Sequence, residues 1–177
     1  LTSLSCTRKG IQDLRGTDAL PKLEKLFVGN NAITDVAPLA GAKGLFSLGL
    51  EQNRITDITA LEGLSKLRSV NLAGNRLRDS SVLGTLPEGE RIGGGPRHGQ
   101  QVTASPAESG VSTPVPRLVG VSGKPFAAEP PEGLTVQSGE VTYPEAGSYE
   151  WRFRDPDDLT FNGTVTVEVR ASSTATI

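Results

Sequence analysis

The sequence predicts a mainly β chain in two parts: a right-handed solenoid of stacked coils fused to a small antiparallel β-sandwich. Three observations predict it. Apolar residues and an asparagine recur every 22 residues through the first half. After Gln101 the apolar period becomes two. Gly (21) and Pro (12) are plentiful and aromatics scarce, which suits turns and short strands better than long helices.

Asn31, Asn53 and Asn75 set the frame of the first part. Leu23, Leu26, Val28 and Ile33 flank the first of them. Leu45, Leu48, Leu50 and Ile55 flank the second, and Leu67, Val70, Leu72 and Leu77 the third. One step back lie Leu1, Leu4, Cys6 and Ile11, with Lys9 in the asparagine place. The repeats thus start at 1, 23, 45 and 67, and Ile92 marks a partial fifth. This L-x-x-L-x-L-x-x-N-x-I wording is the leucine-rich repeat pattern. One coil cannot bury its own apolar face, so coils must stack, with parallel strands on the concave side and short helical turns on the convex side. Each asparagine turns the chain out of its strand and bonds backbone groups that the turn leaves unpaired. Cys6 stands at a leucine position and reads as a small buried apolar residue rather than a reactive thiol.

Asp13, Asp35, Asp57 and Asp79 form a second column. Each precedes a short segment such as VAPLAG or ITALEG. That is where an N-cap carboxylate accepts backbone N–H bonds, so the column reads as structural rather than as a metal site. Thr17 stands where the later repeats carry Leu39, Leu61 and Leu83. GGGPRHG breaks the period after Ile92, and the residues beyond it must cover the last coil around Val82, Leu83 and Leu86. The first strand after the break, near Val102, is expected to do so.

In the second part, Tyr149, Trp151 and Phe153 alternate with charged residues, and Val165, Val167 and Val169 alternate with polar ones. Such alternation marks half-buried strands, and Trp151 is expected in the core. Ser138-Gly139 reads as a hairpin turn. Pro114, Pro116, Pro125, Pro130 and Pro131 confine their segment to edges and loops. Glu145-x-Gly147-x-Tyr149 resembles the tyrosine corner of immunoglobulin-type sandwiches, without their Cys pair. The expected division is 1–95 repeats, 96–170 immunoglobulin-like sandwich, and 171–177 tail or linker.

Lys and Arg total 18 and Asp and Glu 20. That balance argues against a nucleic-acid partner, which would need a basic surface. No apolar run is long enough to span a bilayer, so no membrane contact is expected within these residues. A single Cys excludes a disulfide framework within this chain. The chain has no Met and opens at Leu1 inside the repeat. It is therefore expected to be a fragment of a longer, secreted or anchored polypeptide. His98 is the only His, and no nucleophile–base set or metal set builds around it. No enzyme activity and no cofactor are expected. Asp155-Pro156-Asp157-Asp158 lacks the spacing of a calcium loop and reads as an acidic turn.

With these residues in place, the chain resembles the internalin-type surface proteins of Gram-positive bacteria. The N-R-I-T-D-I of Asn53 to Ile58 and the 22-residue period are their style of repeat. Tyr149-Glu150-Trp151-Arg152-Phe153, followed by Phe161-Asn162-Gly163-Thr164-Val165-Thr166, resembles the end of the immunoglobulin-like module that comes after their repeats. The resemblance implies an extracellular binding protein, secreted or attached to a cell wall. Its partner would be an unidentified protein, for instance on a host or neighbouring cell, bound by a monomer.

Residues between the leucines of each strand face the concave side. Glu24, Lys25, Phe27, Phe46, Glu51, Arg68 and Asn71 are the expected partner-binding residues. The scaffold needs neither Phe27 nor Phe46, and exposed aromatics beside charges make contact hot spots. Arg54, Arg76 and Arg78 come just after the asparagine turns and read as a solvated basic edge. The alternative is a stalk segment without a ligand of its own.

Overall fold

The computed structural model describes residues 1–86 and 99–172. Ile92 with its partial repeat, the expected boundary at 95/96, His98, and residues 173–177 of the expected tail lie outside the described residues.

Four three-residue strands, β1 (Ser3–Ser5), β2 (Lys25–Phe27), β3 (Ser47–Gly49) and β4 (Ser69–Asn71), run parallel in chain order. The repeat is also the register, with Leu4 beside Leu26, Leu26 beside Leu48, and Leu48 beside Val70. The strand leucines therefore stack in one column and bury one another. Just past each strand one residue takes the left-handed conformation: Arg8, Asn30, Gln52 and Gly74, with φ 57°, 55°, 53° and 66°. Three of these carry a Cβ, and that conformation costs them about 1–2 kcal/mol each.

The asparagines hold the turns. Asn53 accepts the Ile33 N–H at 3.0 Å and donates to the Val28 and Leu50 carbonyls at 3.1 and 3.0 Å. Asn75 accepts the Ile55 N–H at 3.1 Å and donates to Leu50 and Leu72 at 2.9 and 3.0 Å. Asn31 does the same for Ile11, Cys6 and Val28, and also takes the Lys9 N–H where no asparagine stands. Each asparagine thus stitches its coil to the one before it.

On the convex side lie short 3₁₀ turns at Thr17–Ala19, Ala37–Gly41 and Thr59–Leu61, then a one-turn helix α1 (Ser81–Thr85). Thr17 is buried in the leucine place because its hydroxyl donates there to the Leu14 carbonyl at 2.9 Å, with the Pro38 carbonyl 3.3 Å away. Asp35, Asp57 and Asp79 sit one step earlier than N-cap residues, and Asp13 three before its cap position, Gly16. Val36, Ile58 and Ser80 hold the cap positions, and no cap side chain bonds there. Asp35, Asp57 and Asp79 instead accept the N–H two residues on, at 2.7, 2.8 and 2.8 Å, closing a side-chain turn that starts the helix. Asp13 likewise accepts the Arg15 N–H at 2.7 Å, in a turn that ends before the Thr17–Ala19 segment begins, and also pairs with the Arg15 guanidinium.

Leu1 is 67% exposed, and Leu4, Cys6 and Ile11 are half-buried where their equivalents in the next coil are buried. Cys6 is a free thiol, partly buried and packed against the leucine core.

The second part holds β5 (Gln100–Thr103), β6 (Ala107–Glu108), β7 (Ser112–Pro114), β8 (Arg117–Val119), β9 (Pro125–Ala127), β10 (Val136–Gln137), β11 (Glu140–Thr142), β12 (Gly147–Arg154) and β13 (Asn162–Arg170). A long β12–β13 hairpin is extended by β5 and β6, both parallel to β13. β7, β11 and β10 make a second antiparallel sheet, and β8 with β9 a two-stranded one. Ser138 and Gly139, both at positive φ, turn β10 into β11. Trp151 is fully buried and donates its indole N–H to the Tyr143 hydroxyl at 3.1 Å. The two rings meet edge to face at 6.5 Å. The Tyr149 hydroxyl donates back to the Glu145 carbonyl at 3.1 Å. Phe126, Phe153 and Phe161 form a second aromatic cluster.

The first strand after the break, β5, does reach the last coil as expected, but through Gln100 and through Gln101, whose N–H bonds the Asn75 carbonyl at 2.8 Å, and not through Val102, which is buried beside Val165 in the β5–β13 pair. Cover comes from β5 and from β8 with the turn after it. Gln100 is fully buried, accepts the Leu77 N–H at 3.0 Å and donates to the Leu72 carbonyl at 2.8 Å. These are the bonds a further repeat asparagine would make. Val119 of β8 bridges to Asp79, exchanging backbone bonds with Arg78 and Ser80 at 2.9 and 3.0 Å. The next turn lays the Val121 carbonyl on Gly84, where a Cβ would come within 2.2 Å of it. The buried Asp155 carboxylate holds that turn through the Val121 N–H at 2.9 Å. Its other oxygen takes the Asp157 N–H at 2.9 Å.

Candidate binding face

The concave face grows from the strand alternation. Leu26 points inward, so Lys25 and Phe27 point outward, and the parallel register sets them beside Ser47 and Gly49. Just before the strands, Thr2, Glu24, Phe46 and Arg68 form a ladder. Glu24 N–H bonds the Thr2 carbonyl at 2.8 Å, Phe46 bonds Glu24 at 2.7 Å, and Arg68 bonds Phe46 at 2.9 Å. Their side chains therefore stand in one row across the face.

The two phenylalanines lie at opposite ends of the strands. Phe27 is 37% exposed and Phe46 50%. Phe27 lies over Gly49, whose missing side chain makes room for it: a Cβ there would sit 2.9 Å from the ring. The Glu51 carboxylate bends back across Gly29, where a Cβ would be 2.0 Å away, and reaches the same spot. Phe27 and Glu51 thus make one patch.

Phe46 belongs to a second. It stands with Glu24 and Arg68 in an open hollow of about 570 Å³, lined also by Thr2, Pro21, Lys22, Gly44 and Lys66. The Arg68 guanidinium is held over it by the Ser65 and Leu67 carbonyls at 3.1 and 3.3 Å. The remaining expected binders stand apart. Lys25 does not line the hollow, and the Asn71 side chain accepts the Ala73 N–H of its own loop at 3.2 Å. Lys22 and Lys66 are not among the binders expected from sequence, because they precede the first leucine of their repeats and so fall outside the strand columns. They share a place in the period with Gly44.

Each repeat aspartate has an oxygen committed to a backbone N–H. The turn bond to Arg15 pulls the Asp13 carboxyl below its ordinary range. Asp155 and Asp158 both bond loop N–H groups. Among the described residues no helix is long and apolar enough to cross a membrane.

The leucine rich repeat family profile matches residues 21–77. Compared by sequence with curated proteins, the chain matches none. The functional domain of InlJ from Listeria monocytogenes superposes with a TM-score of 0.65 at 16% identity, over 96% of this chain and 48% of that one. A Listeria monocytogenes internalin-like protein superposes with a TM-score of 0.57 at 18% identity, over 96% and 57%. An internalin of the same species, inlF, is 34% identical over 48% of this chain and 25% of its own, with a TM-score of 0.47. The chain spans about half the length of the first two of these structures. It is therefore a mainly β chain that contains leucine-rich repeats and shares the fold of internalin-like proteins.

Proposed function

We propose that this chain is an extracellular protein-binding module that takes its partner on the concave face of the repeats. Phe27 and Phe46 are the anchors. The observation that carries this is their exposure, 37% and 50%, on a face whose other side chains are short or charged. Apolar rings cost free energy in water, and neither ring packs in the leucine core, so burial against a partner is what they gain. In this reading the second part is an immunoglobulin-like support, and the polypeptide is secreted or wall-attached in a bacterium. The partner is a protein on a host or neighbouring cell, and the module does no chemistry of its own.

The Gln100 seam favours a second reading, a stalk segment, because a rung shared by both parts suits a stiff spacer. One experiment separates the two. The chain is immobilised and exposed to cell-surface extracts, beside Phe27→Ala with Phe46→Ala and a convex control, Glu62→Ala. A protein held by the wild type and the control but lost from the double variant supports the concave face. Retention by the double variant places binding elsewhere. No capture by any form supports the stalk.

A further inference from the structure

We propose that the hollow around Phe46 recognises an acidic segment of a polypeptide partner. One apolar partner side chain lies on the Phe46 ring, and partner carboxylates meet Arg68, Lys66 and Lys22. This rests on the concave-face reading above and deepens it.

Four observations carry it. The lining holds three cations, Lys22, Lys66 and Arg68, against one carboxylate, Glu24. The ion pair found among the described residues is Arg15–Asp13, so no described acid of the chain pairs with these cations. Arg68 is already positioned: two carbonyls hold its guanidinium, yet its planar fork keeps donors for a carboxylate. Little side-chain entropy is then lost when a partner pairs with it. Finally, Phe46 is half exposed at the hollow.

The same lining selects among anions. Glu24 would repel a uniformly charged polyanion, such as a sulfated glycan, laid along this row. The Phe46 face rewards an apolar group that such a glycan lacks. A polypeptide can set a carboxylate against Arg68, a leucine or aromatic ring against Phe46, and a neutral or basic residue against Glu24. Charge pairing of this kind mainly sets specificity and association rate, and it weakens with salt.

The test is selection of displayed random short peptides on the whole folded chain, with heparin as the glycan probe. The expected peptides are rich in Asp and Glu around one aliphatic or aromatic residue. Their affinity should fall about tenfold on Arg68→Glu, which the opposing charge makes larger than the loss on Arg68→Gln, and should fall as salt rises. Matching thermal melts show that both variants fold. Peptides without acidic bias, indifferent to Arg68→Glu but lost on Phe46→Ala, would overturn the acidic assignment and leave the concave face standing. Peptides indifferent to every concave substitution would overturn both. Heparin bound as tightly as the peptides, and released by Arg68→Glu, would overturn the choice of a polypeptide.

Discussion

The side chain of Gln100 reaches Leu72 in the last described coil and donates to its carbonyl at 2.8 Å, beside the bond Leu72 already accepts from Asn75 at 3.0 Å. On its other side Gln100 takes the Leu77 N–H at 3.0 Å. The backbone of Gln100 belongs to β5, and Gly163 on β13 makes room for it, since a Cβ there would lie 2.1 Å from the Gln100 carbonyl oxygen. One glutamine therefore ties the solenoid to the long hairpin.

Gln100→Leu keeps the apolar volume but orphans the buried Leu77 N–H, because Leu72 retains its bond from Asn75. An unpaired buried donor costs about 1–3 kcal/mol. Denaturation followed by circular dichroism should show a loss of that size. Hydrogen exchange at the Leu77 amide should quicken more than at Ile55, whose N–H keeps Asn75.

Gly84→Ala should destabilise, although alanine is the better helix former by about 1 kcal/mol. The new methyl would meet the Val121 carbonyl at 2.2 Å, and that oxygen is backbone pinned through Asp155. Overpacking of this kind costs about 1–3 kcal/mol and should exceed the propensity gain. A lowered melting temperature checks the sign.

Asp57→Ala removes the carboxylate that accepts the Thr59 N–H. Loss of such a helix-start bond costs about 0.5–2 kcal/mol. Added calcium should change neither the wild type nor the variant. Asp79→Ala should cost at least as much, because Asp79 also accepts the Ser81 hydroxyl at 2.6 Å and sits on the Val119 bridge. Parallel thermal melts of the two variants test the order.

Trp151→Ala should unfold the second part, since truncating a buried tryptophan costs about 3–5 kcal/mol against total stabilities of about 5–15 kcal/mol. In the native chain its emission should be blue-shifted and hard to quench with acrylamide.

The Trp151 partner also predicts a pH response. Burial raises Tyr143 above its ordinary 10.0, against the lowering effect of the Trp151 bond. The folded state then keeps that proton longer than the unfolded state. Its contribution is complete below the unfolded value and is lost as pH rises through the folded one. Alkaline titration followed by Trp151 emission should show stability falling above about pH 10. Tyr143→Phe should reduce that alkaline slope while weakening the fold at neutral pH.

The repeat was legible because its signal is periodic. Leu26, Leu48 and Val70 occupy one place in the period, and stacked coils must bring that place together. Trp151 was legible for the same reason at period two. Asp35, Asp57 and Asp79 were legible as residues that start turns, but their offset by one residue was not. An i to i+2 bond and an N-cap bond leave the same mark in sequence. At the candidate site, the row of Glu24, Phe46 and Arg68 followed from the period, while the hollow did not. Lys22 and Lys66 enter it from outside the strand columns, by the way the chain rises into each strand.

By itself the sequence determined the solenoid, its phase and its apolar column, because each is a local pattern repeated until chance is excluded, and it marked Phe27 and Phe46 as departures from that pattern. The sequence also pointed to the strand near Val102 as the cover of the last coil, and only the tertiary structure decided which side chain makes the join. The next asparagine place, 97, holds Arg97, and the rung is made by Gln100, off the period and on a strand of another sheet. The physical reason is that a buried N–H and C=O need a partner of the right reach, not of the right sequence number. A glutamine delivered by β5 meets that need as well as an asparagine delivered by one more coil.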